Sequence, residues 1–390
     1  MPAADVLREL RARRDVMMIV GVIGAGQLAR MMIPAAVELG IELRVLAEAD
    51  GMSAGLAAVG VGDYRDRDAV LAFADTVDVL TFDHEHVPQE ILRELVDRGV
   101  AVHPGPDALL YAQDKLLMRE KLTELGLPVP DWARVENSDE LAAFLSDHGS
   151  RAVVKTPRGG YDGKGVRVVR AADEADDWFA ALTEGDALLV EELVDFSREL
   201  AQQVARRPSG EIVSWPLVET VQADGVCSEV IAPAPHSAGR LADVARQIAV
   251  TVAEGIGVTG ALAVELFQTT DGRLLVNELA MRPHNSGHWS MDGSTTGQFE
   301  QHLRAVLDLP LGSTEIHDEW SVMVNILGGP VEGTLADRYA TAMSQHPSVK
   351  VHNYGKAPRP GRKVGHVTAV GDDLDDVTYQ ARAAAAHFAD

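Results

Sequence analysis

A single cysteine, Cys227, stands among 390 residues. No intrachain disulfide and no cysteine-based metal cluster can form, which suits a reducing, cytoplasmic setting. No run of about 20 apolar residues is present to span a bilayer as a helix, so a membrane role is not expected. Basic residues are also scarce, with Lys and Arg numbering 35 against 59 Asp and Glu, a formal net charge of −24. That balance argues against a general nucleic-acid binder, which needs basic surface to displace counterions. It leaves small anionic ligands open, and it makes any local cluster of Lys and Arg on an acidic chain more informative. There is no internal repeat, and the only biased tract is the Ala-rich YQARAAAAHFA near the end. Residues 1–18 hold several arginines, but Asp5, Glu9 and Asp15 speak against a transit peptide and nothing resembles a secretory signal. They read as a short helical extension or an over-long start, with initiation at Met17 or Met18.

The length favours two or three domains. From Ile19 to residue 110 the chain alternates MIVGVIG, IELRVLAE, VDVLTFD and VAVHP with helical spacing. This predicts a doubly wound α/β domain with a parallel sheet, whose ligands sit at the carboxyl ends of strands. A second region, 111–310, divides into a lobe over 111–190 around a glycine-rich loop and a lobe over 191–310 rich in antiparallel strand signals. A small C-terminal region, 311–390, completes an α/β plus α+β chain.

The first strand runs into VIGAGQLA, with Gly24, Gly26 and Ala29 on a strand-to-helix turn and Glu48 ending the next strand. Such a turn suits an anion, and the spacing also fits a dinucleotide fingerprint. The most informative stretch is GALAVELFQTTDGRLLVNELAMR. Asp271-Gly272 is a two-residue hairpin signal that pairs Thr270 with Arg273 and, counting outward, places Glu265 opposite Glu278. Ala263, Phe267 and Val276 then share their face. Opposed like charges on a partly apolar face call for a cation between them, and hard oxygen donors favour Mg2+. The alternatives are a shared proton, a solvated edge, or a loop one residue longer that turns one glutamate away.

RGGYDGKG joins the strand-like AVVK and VRVV. It is not a Walker loop, since Gly165 follows Lys164 where Ser or Thr is required. Its amides can still fold over phosphates beside Lys155 and Lys164, although glycine-rich turns without a ligand are common. LLVEEL, followed by Glu199, could offer backbone groups to adenine and a carboxylate to ribose hydroxyls. His284 and His288 make a poor zinc pair, because NSG between them suggests loop and no glutamate base intervenes.

In this order Lys115, Lys155 with RGGYDGKG, the VEEL segment, Glu199, and Glu265 with Glu278 resemble an ATP-grasp ligase. GAGQLARMM, TFDHEHV, GGYDGKG, RPHNSGHW and RPGRKVGH further resemble the 5-(carboxyamino)imidazole ribonucleotide synthase family of purine biosynthesis, from Ile19 to at least His366. The resemblance implies a pre-ATP-grasp domain over 19–110, an ATP-grasp domain over 111–310 and a small C-terminal domain. It implies ATP on Lys115, Lys155, Gly160, Asp162, Gly163, Lys164, Gly165, Glu191, Glu192, Leu193, Glu199 and Asn277, with Mg2+ on Glu265 and Glu278. Arg282, His284 and Asn285 would act on bicarbonate and carboxyphosphate, with Tyr161 and Lys356 also catalytic. Gly26, Gln27 and Leu28 would bind the phosphate of 5-aminoimidazole ribonucleotide, helped by Lys356, Arg359 and Arg362, while Glu85 and Tyr161 contact its imidazole or ribose.

It further implies a homodimer. The sequence departs from the family pattern at Asp83 (glutamate expected), Val166 (glutamine frequent) and Ala280, where many grasp enzymes add a metal ligand and Asn277 or water must serve instead. Another grasp ligase, of the formate-dependent transformylase or biotin carboxylase kind, is the nearest rival. A nicotinamide oxidoreductase rests on GAGQLA and Glu48 alone.

Overall fold

The computed structural model describes residues 18–159, 165–223 and 225–389. Nearly all of the N-terminal extension, including Met17 as a start, therefore lies outside the described residues, as do Gly160, Tyr161, Asp162, Gly163 and Lys164.

Strands β1 (Ile19–Ile23), β2 (Glu42–Ala47), β3 (Ala58–Val61), β4 (Val79–Phe82) and β5 (Ala101–Val102) form a parallel sheet in the order β3-β2-β1-β4-β5. Four of them are the apolar runs read from the sequence. β3 has no alternating pattern to read, because it is a largely exposed edge. Helix α1 (Gln27–Glu38) buries Leu28, Ala29, Met31, Met32, Ala35 and Ala36 on one side of this sheet. Helices α2 (Arg67–Ala74) and α3 (Gln89–Asp97) pack Val70, Leu71, Leu92 and Leu95 with Ile23 and Phe82 in a separate cluster. The sheet is doubly wound. Its order reverses between β1 and β4, so the turns that follow these two strands border a crevice, the place where open α/β sheets take ligands.

Helix α4 (Lys115–Glu124) leads into a four-stranded antiparallel sheet of β6 (Trp132–Val135), β7 (Ala152–Lys155), β8 (Val166–Val169) and β9 (Leu188–Glu192), ordered β6-β9-β7-β8. β7 and β8 pair Lys155 with Val166, so the glycine-rich segment caps a hairpin as its composition predicts.

The remaining strands are β10 (Phe196–Arg206), β11 (Ile212–Ser214), β12 (Val218–Ala223), β13 (Val226–Ala232), β14 (Gly260–Thr269), β15 (Leu274–Ala280), β16 (Trp320–Leu327), β17 (Lys350–Asn353) and β18 (Lys363–Gly371). They make one nine-stranded sheet in the order β15-β14-β10-β12-β13-β16-β18-β17, with β11 on β10. Helix α5 (Arg240–Ile256) presses Ala245, Ile248, Ala249 and Val252 onto it, and these join Phe82 and Leu92 in a core that continues into the first domain. Helix α6 (Gln298–Val306) seats Phe299, Leu303 and Val306 against the α1 face. Helix α7 (Leu374–Ala386) covers the β16 and β18 end.

The β14–β15 hairpin corrects one sequence reading and keeps its result. The turn has three residues, because Thr269 rather than Thr270 pairs with Arg273, its N–H donating to the Arg273 carbonyl at 2.9 Å. Gly272 takes the left-handed conformation at φ +89° that closes such a loop. Phe267 then faces Leu275, and Leu266 faces Val276. Val276 is fully buried with Leu266 in the core, so it does not share the face of Glu265. Continued unchanged, this register would set Asn277 opposite Glu265. Asn277 is instead bulged out between Glu278 and Val276, and Glu265 pairs with Glu278 after all.

Candidate active site

The site opens where the four-stranded sheet faces β14 and β15, in a cleft of about 550 Å³. Lys115, Lys155, Glu191, Glu192, Leu193, Glu199, Glu265, Asn277, Glu278, His284 and Asn285 all border it. The sequence thus named eleven residues of one cavity, drawn from seven separate stretches of the chain.

At one end stands a buried ionic network. Glu191, the penultimate residue of β9, has its side chain only 4% exposed, bonded to Arg119 Nε and to Lys155 Nζ at 2.6 Å. Burial opposes its charge, but the two cations outweigh that and hold the carboxyl below its usual range. Arg119 is fully buried and also donates to the Val276 carbonyl at 3.0 Å and the Asn277 carbonyl at 2.7 Å. Sequence reading missed it; the available signal was its place one helical turn after Lys115 on the same face of α4. Asp114 caps α4 through the Leu116 and Leu117 amides and holds Arg158 Nε at 2.8 Å, which ties the start of the glycine-rich loop to the helix. The Lys115 amide donates to the Pro157 carbonyl at 2.9 Å and tightens the same joint.

At the centre Glu265 and Glu278 face one another. Lys115 Nζ lies 3.4 Å from Glu278, and His284 Nε2 lies 3.3 Å from Glu265. Burial, with the charges of Glu278 and Glu199, pushes the Glu265 carboxyl up to about 8. Glu199 is itself raised by burial, against a hydrogen bond from Gln222 at 3.1 Å. Among the described residues no three His, Cys, Asp or Glu side chains converge as a metal cluster. The two carboxylates still fit Mg2+, which commonly takes one or two protein carboxylates and completes its octahedron with substrate phosphates and water; the Asn277 amide oxygen lines the same cleft and accepts from Lys155 Nζ at 3.5 Å. Lys363 of β18 also borders the cleft. Sequence reading passed over it in favour of the neighbouring loop residues; β18 is buried continuously from Val364 to Ala369, so no alternation marks which way Lys363 points.

The third part is the loop 282–289. Burial, together with the charges of Arg282 and Lys363, keeps the His284 imidazole neutral and well below its ordinary pKa. Its Nδ1 meets Ser286 Oγ at 2.9 Å. Gln298, at the start of α6, accepts from the His284 N–H and donates to the His284 carbonyl, each at 2.9 Å, so the backbone around the imidazole is clamped from both sides. Asn285 exchanges amide hydrogen bonds with Asn325 at 2.8 and 3.1 Å. Arg282 Nε donates to Glu85 at 2.7 Å. Glu85 also accepts the Met281 amide at 3.2 Å, so the β4 crevice is joined directly to the end of β15.

In that crevice Asp83 accepts from the Gly26 amide at 2.7 Å and the Ala29 amide at 2.8 Å. Its carboxylate caps α1, and Gly26 is required because a Cβ there would overlap Asp83 Oδ2. Lys356 donates to the Gln27 side chain. Arg359 and Arg362 lie further along the loop that begins at Tyr354, which is closed by bonds of 2.9 and 2.8 Å between these residues and Gly328. Lys356 is the one that reaches the glycine turn.

Residues 17–113 match the ribonucleotide synthetase preATP-grasp domain, 120–299 the ATP-grasp domain, and 321–380 the phosphoribosylaminoimidazole carboxylase C-terminal domain. The chain is 50% identical over 372 residues to the N5-carboxyaminoimidazole ribonucleotide synthase of Mycobacterium tuberculosis, covering 94% of this chain and 87% of that one. The chain belongs to the N5-carboxyaminoimidazole ribonucleotide synthase family. The synthase of Corynebacterium ammoniagenes is 47% identical over 95% of this chain and 91% of its own length. The crystal structure of the Thermus thermophilus synthetase superposes with a TM-score of 0.85 at 37% identity, covering 95% of this chain and 98% of that one. The Aspergillus clavatus enzyme, solved with ADP and 5-aminoimidazole ribonucleotide, gives 0.85 at 31% identity over the same shares. The fold is that of an ATP-grasp ligase of this family.

Proposed function

We propose that the chain uses ATP to join bicarbonate to the exocyclic amine of 5-aminoimidazole ribonucleotide, giving the N5-carboxyamino product, ADP and phosphate in purine biosynthesis. One observation carries the reading: the facing pair Glu265 and Glu278 stands between Lys115 on the nucleotide side and His284 on the substrate side. A nucleoside triphosphate whose metal sits at that pair would direct its terminal phosphate toward Arg282, His284 and Asn285.

Lys115 and Lys155 would meet phosphate or adenine, and the resemblance assigns Gly160, Asp162, Gly163, Lys164 and Gly165 to ATP as well. Since the Glu191 carboxylate is engaged by Arg119 and Lys155, the segment Glu191, Glu192 and Leu193 would offer backbone groups to the base, and Glu199 would accept ribose hydroxyls. Mg2+ held by Glu265 and Glu278 would supply charge neutralisation on the phosphates. A bicarbonate oxygen attacks the terminal phosphorus, the bond to the ADP oxygen breaks, and carboxyphosphate forms. The amine nitrogen then bonds the carbon, either of carboxyphosphate as its C–O bond to phosphate breaks or of carbon dioxide after that bond has broken, and the proton shed by the amine goes to the departing phosphate. Arg282, the neutral His284 and the amide of Asn285 would steady this dense negative charge by fixed dipoles and one fixed cation.

Asp83 occupies two amides of the α1 terminus. The amides of Gln27 and Leu28 are those assigned to the substrate phosphate, with Lys356 beside them and Arg359 and Arg362 adding field from the same loop. Glu85 and Tyr161 are assigned to the imidazole or ribose. This is an anion site on a strand-to-helix turn, so no nicotinamide is needed to account for it. We take the domains as 19–110, 111–310 and 311–390, the assembly as a homodimer and the location as cytoplasmic.

The test is ADP formation with each component omitted in turn. Full turnover should require ATP, Mg2+, bicarbonate and 5-aminoimidazole ribonucleotide together. ADP formation that is indifferent to the imidazole nucleotide would overturn the assignment.

A further inference from the structure

The geometry points to Arg119 as the positioning residue that sets the register of the acidic pair, an inference that rests on the magnesium reading above. The hairpin turn holds three residues, and a ladder continued from it without interruption would set Asn277 opposite Glu265. Because strand side chains alternate, a one-residue slip carries Glu278 to the opposite face. The bulge at Asn277 prevents this, yet it breaks the ladder and leaves backbone groups without strand partners. Those groups are satisfied from outside the sheet. The Val276 N–H donates to the Pro128 carbonyl at 2.8 Å, and the Val276 and Asn277 carbonyls accept from the two terminal nitrogens of Arg119 at 3.0 and 2.7 Å.

The third nitrogen, Nε, bonds Glu191, which in turn holds Lys155. A planar guanidinium presents these donors in one fixed fork, which a lysine ammonium cannot reproduce. One buried side chain thus joins the lobe that carries the phosphate lysine to the strand that carries the acidic pair. It touches no reacting atom in this arrangement; it acts through Glu278 and Lys155.

The test uses Arg119→Lys in the full chain, with ADP titrated calorimetrically in the presence and absence of Mg2+ and 5-aminoimidazole ribonucleotide titrated alongside. In the unaltered protein Mg2+ should tighten ADP at least tenfold; if it does not, the magnesium reading fails independently of Arg119. In Arg119→Lys that enhancement should fall below twofold while the imidazole nucleotide binds as before. Retained enhancement would overturn the proposal. Loss of imidazole nucleotide binding as well would also overturn it, since Arg119 would then hold the fold rather than the pair. Glu191→Gln is the second variant. It leaves the two carbonyl bonds of Arg119 in place, so ADP binding should weaken while the Mg2+ enhancement persists; an equal loss of enhancement there would count against the bulge anchor.

Discussion

Replacing Gly26 by alanine tests the substrate end of the cleft without touching the nucleotide end. The backbone at Gly26 is extended, at φ −80°, so alanine is conformationally allowed. The added Cβ, however, would overlap Asp83 Oδ2 and lie 3.1 Å from Asp83 Cγ. The carboxylate must swing away, and its bonds of 2.7 Å to the Gly26 amide and 2.8 Å to the Ala29 amide break. Loss of a helix cap costs about 0.5–2 kcal/mol. Loss of a negative charge from the positive end of the helix dipole adds about 0.3–1 kcal/mol. Urea unfolding should therefore show a loss of about 1–3 kcal/mol. The displaced turn also moves the Gln27 and Leu28 amides assigned to the substrate phosphate. The KM for 5-aminoimidazole ribonucleotide should rise about tenfold, equivalent to ~1.4 kcal/mol, with the KM for ATP unchanged. Unaltered KM for the imidazole nucleotide in a measurably destabilised variant would refute the phosphate assignment. A shift confined to ATP would refute the division of the cleft into two ends.

Glu278→Gln removes one of the two facing charges, and ADP formation should fall by about a hundred- to a thousandfold, a scale seen when one electrostatic group is lost at a reacting centre, with imidazole nucleotide binding retained; unchanged turnover would refute the metal assignment. Arg282→Lys keeps the charge but loses the planar contact with Glu85 at 2.7 Å; kcat should fall with little change in KM for ATP, as steady-state rates will show. Burial lowers His103 to about 4 and His302 to about 3, the latter set between Thr81 Oγ1 at 2.8 Å and the Ala261 amide at 3.0 Å. Both are neutral in the fold and bind protons more readily when unfolded, so stability is present above about pH 6.5 and is lost as pH falls toward 4 and then 3. Urea melts between pH 7 and 5 should show a loss approaching 1.4 kcal/mol per pH unit for each histidine; a flat profile would contradict their neutral burial.

Much of the site was readable where chemistry is local in sequence. GAGQLA sits on a strand-to-helix turn because β1 and α1 carry their own periodicities, and RGGYDGKG caps a hairpin because two short strands flank it. The acidic pair was reached by counting from Asp271-Gly272, and two departures cancelled: the turn is one residue longer, and Asn277 is bulged. Neither departure is visible without the tertiary partners of the bulge, Pro128 and Arg119. Arg119 itself read as one more charge on a helix, since its burial depends on Glu191 and on a strand more than 150 residues away. Asp83 read only as a departure from the family's glutamate, whereas the fold uses it to cap α1. Lys363 lay hidden beside the more conspicuous Arg359 and Arg362, because only pairing with β16 turns it toward the cleft.

The most direct measurement supplies 13C-labelled bicarbonate with ATP, Mg2+ and 5-aminoimidazole ribonucleotide and follows the label by NMR. A carbamate carbon should appear on the exocyclic nitrogen, formed in step with one ADP per label. ATP consumed with no carbon on that nitrogen, or label appearing on a ring carbon with no carbamate preceding it, would contradict it.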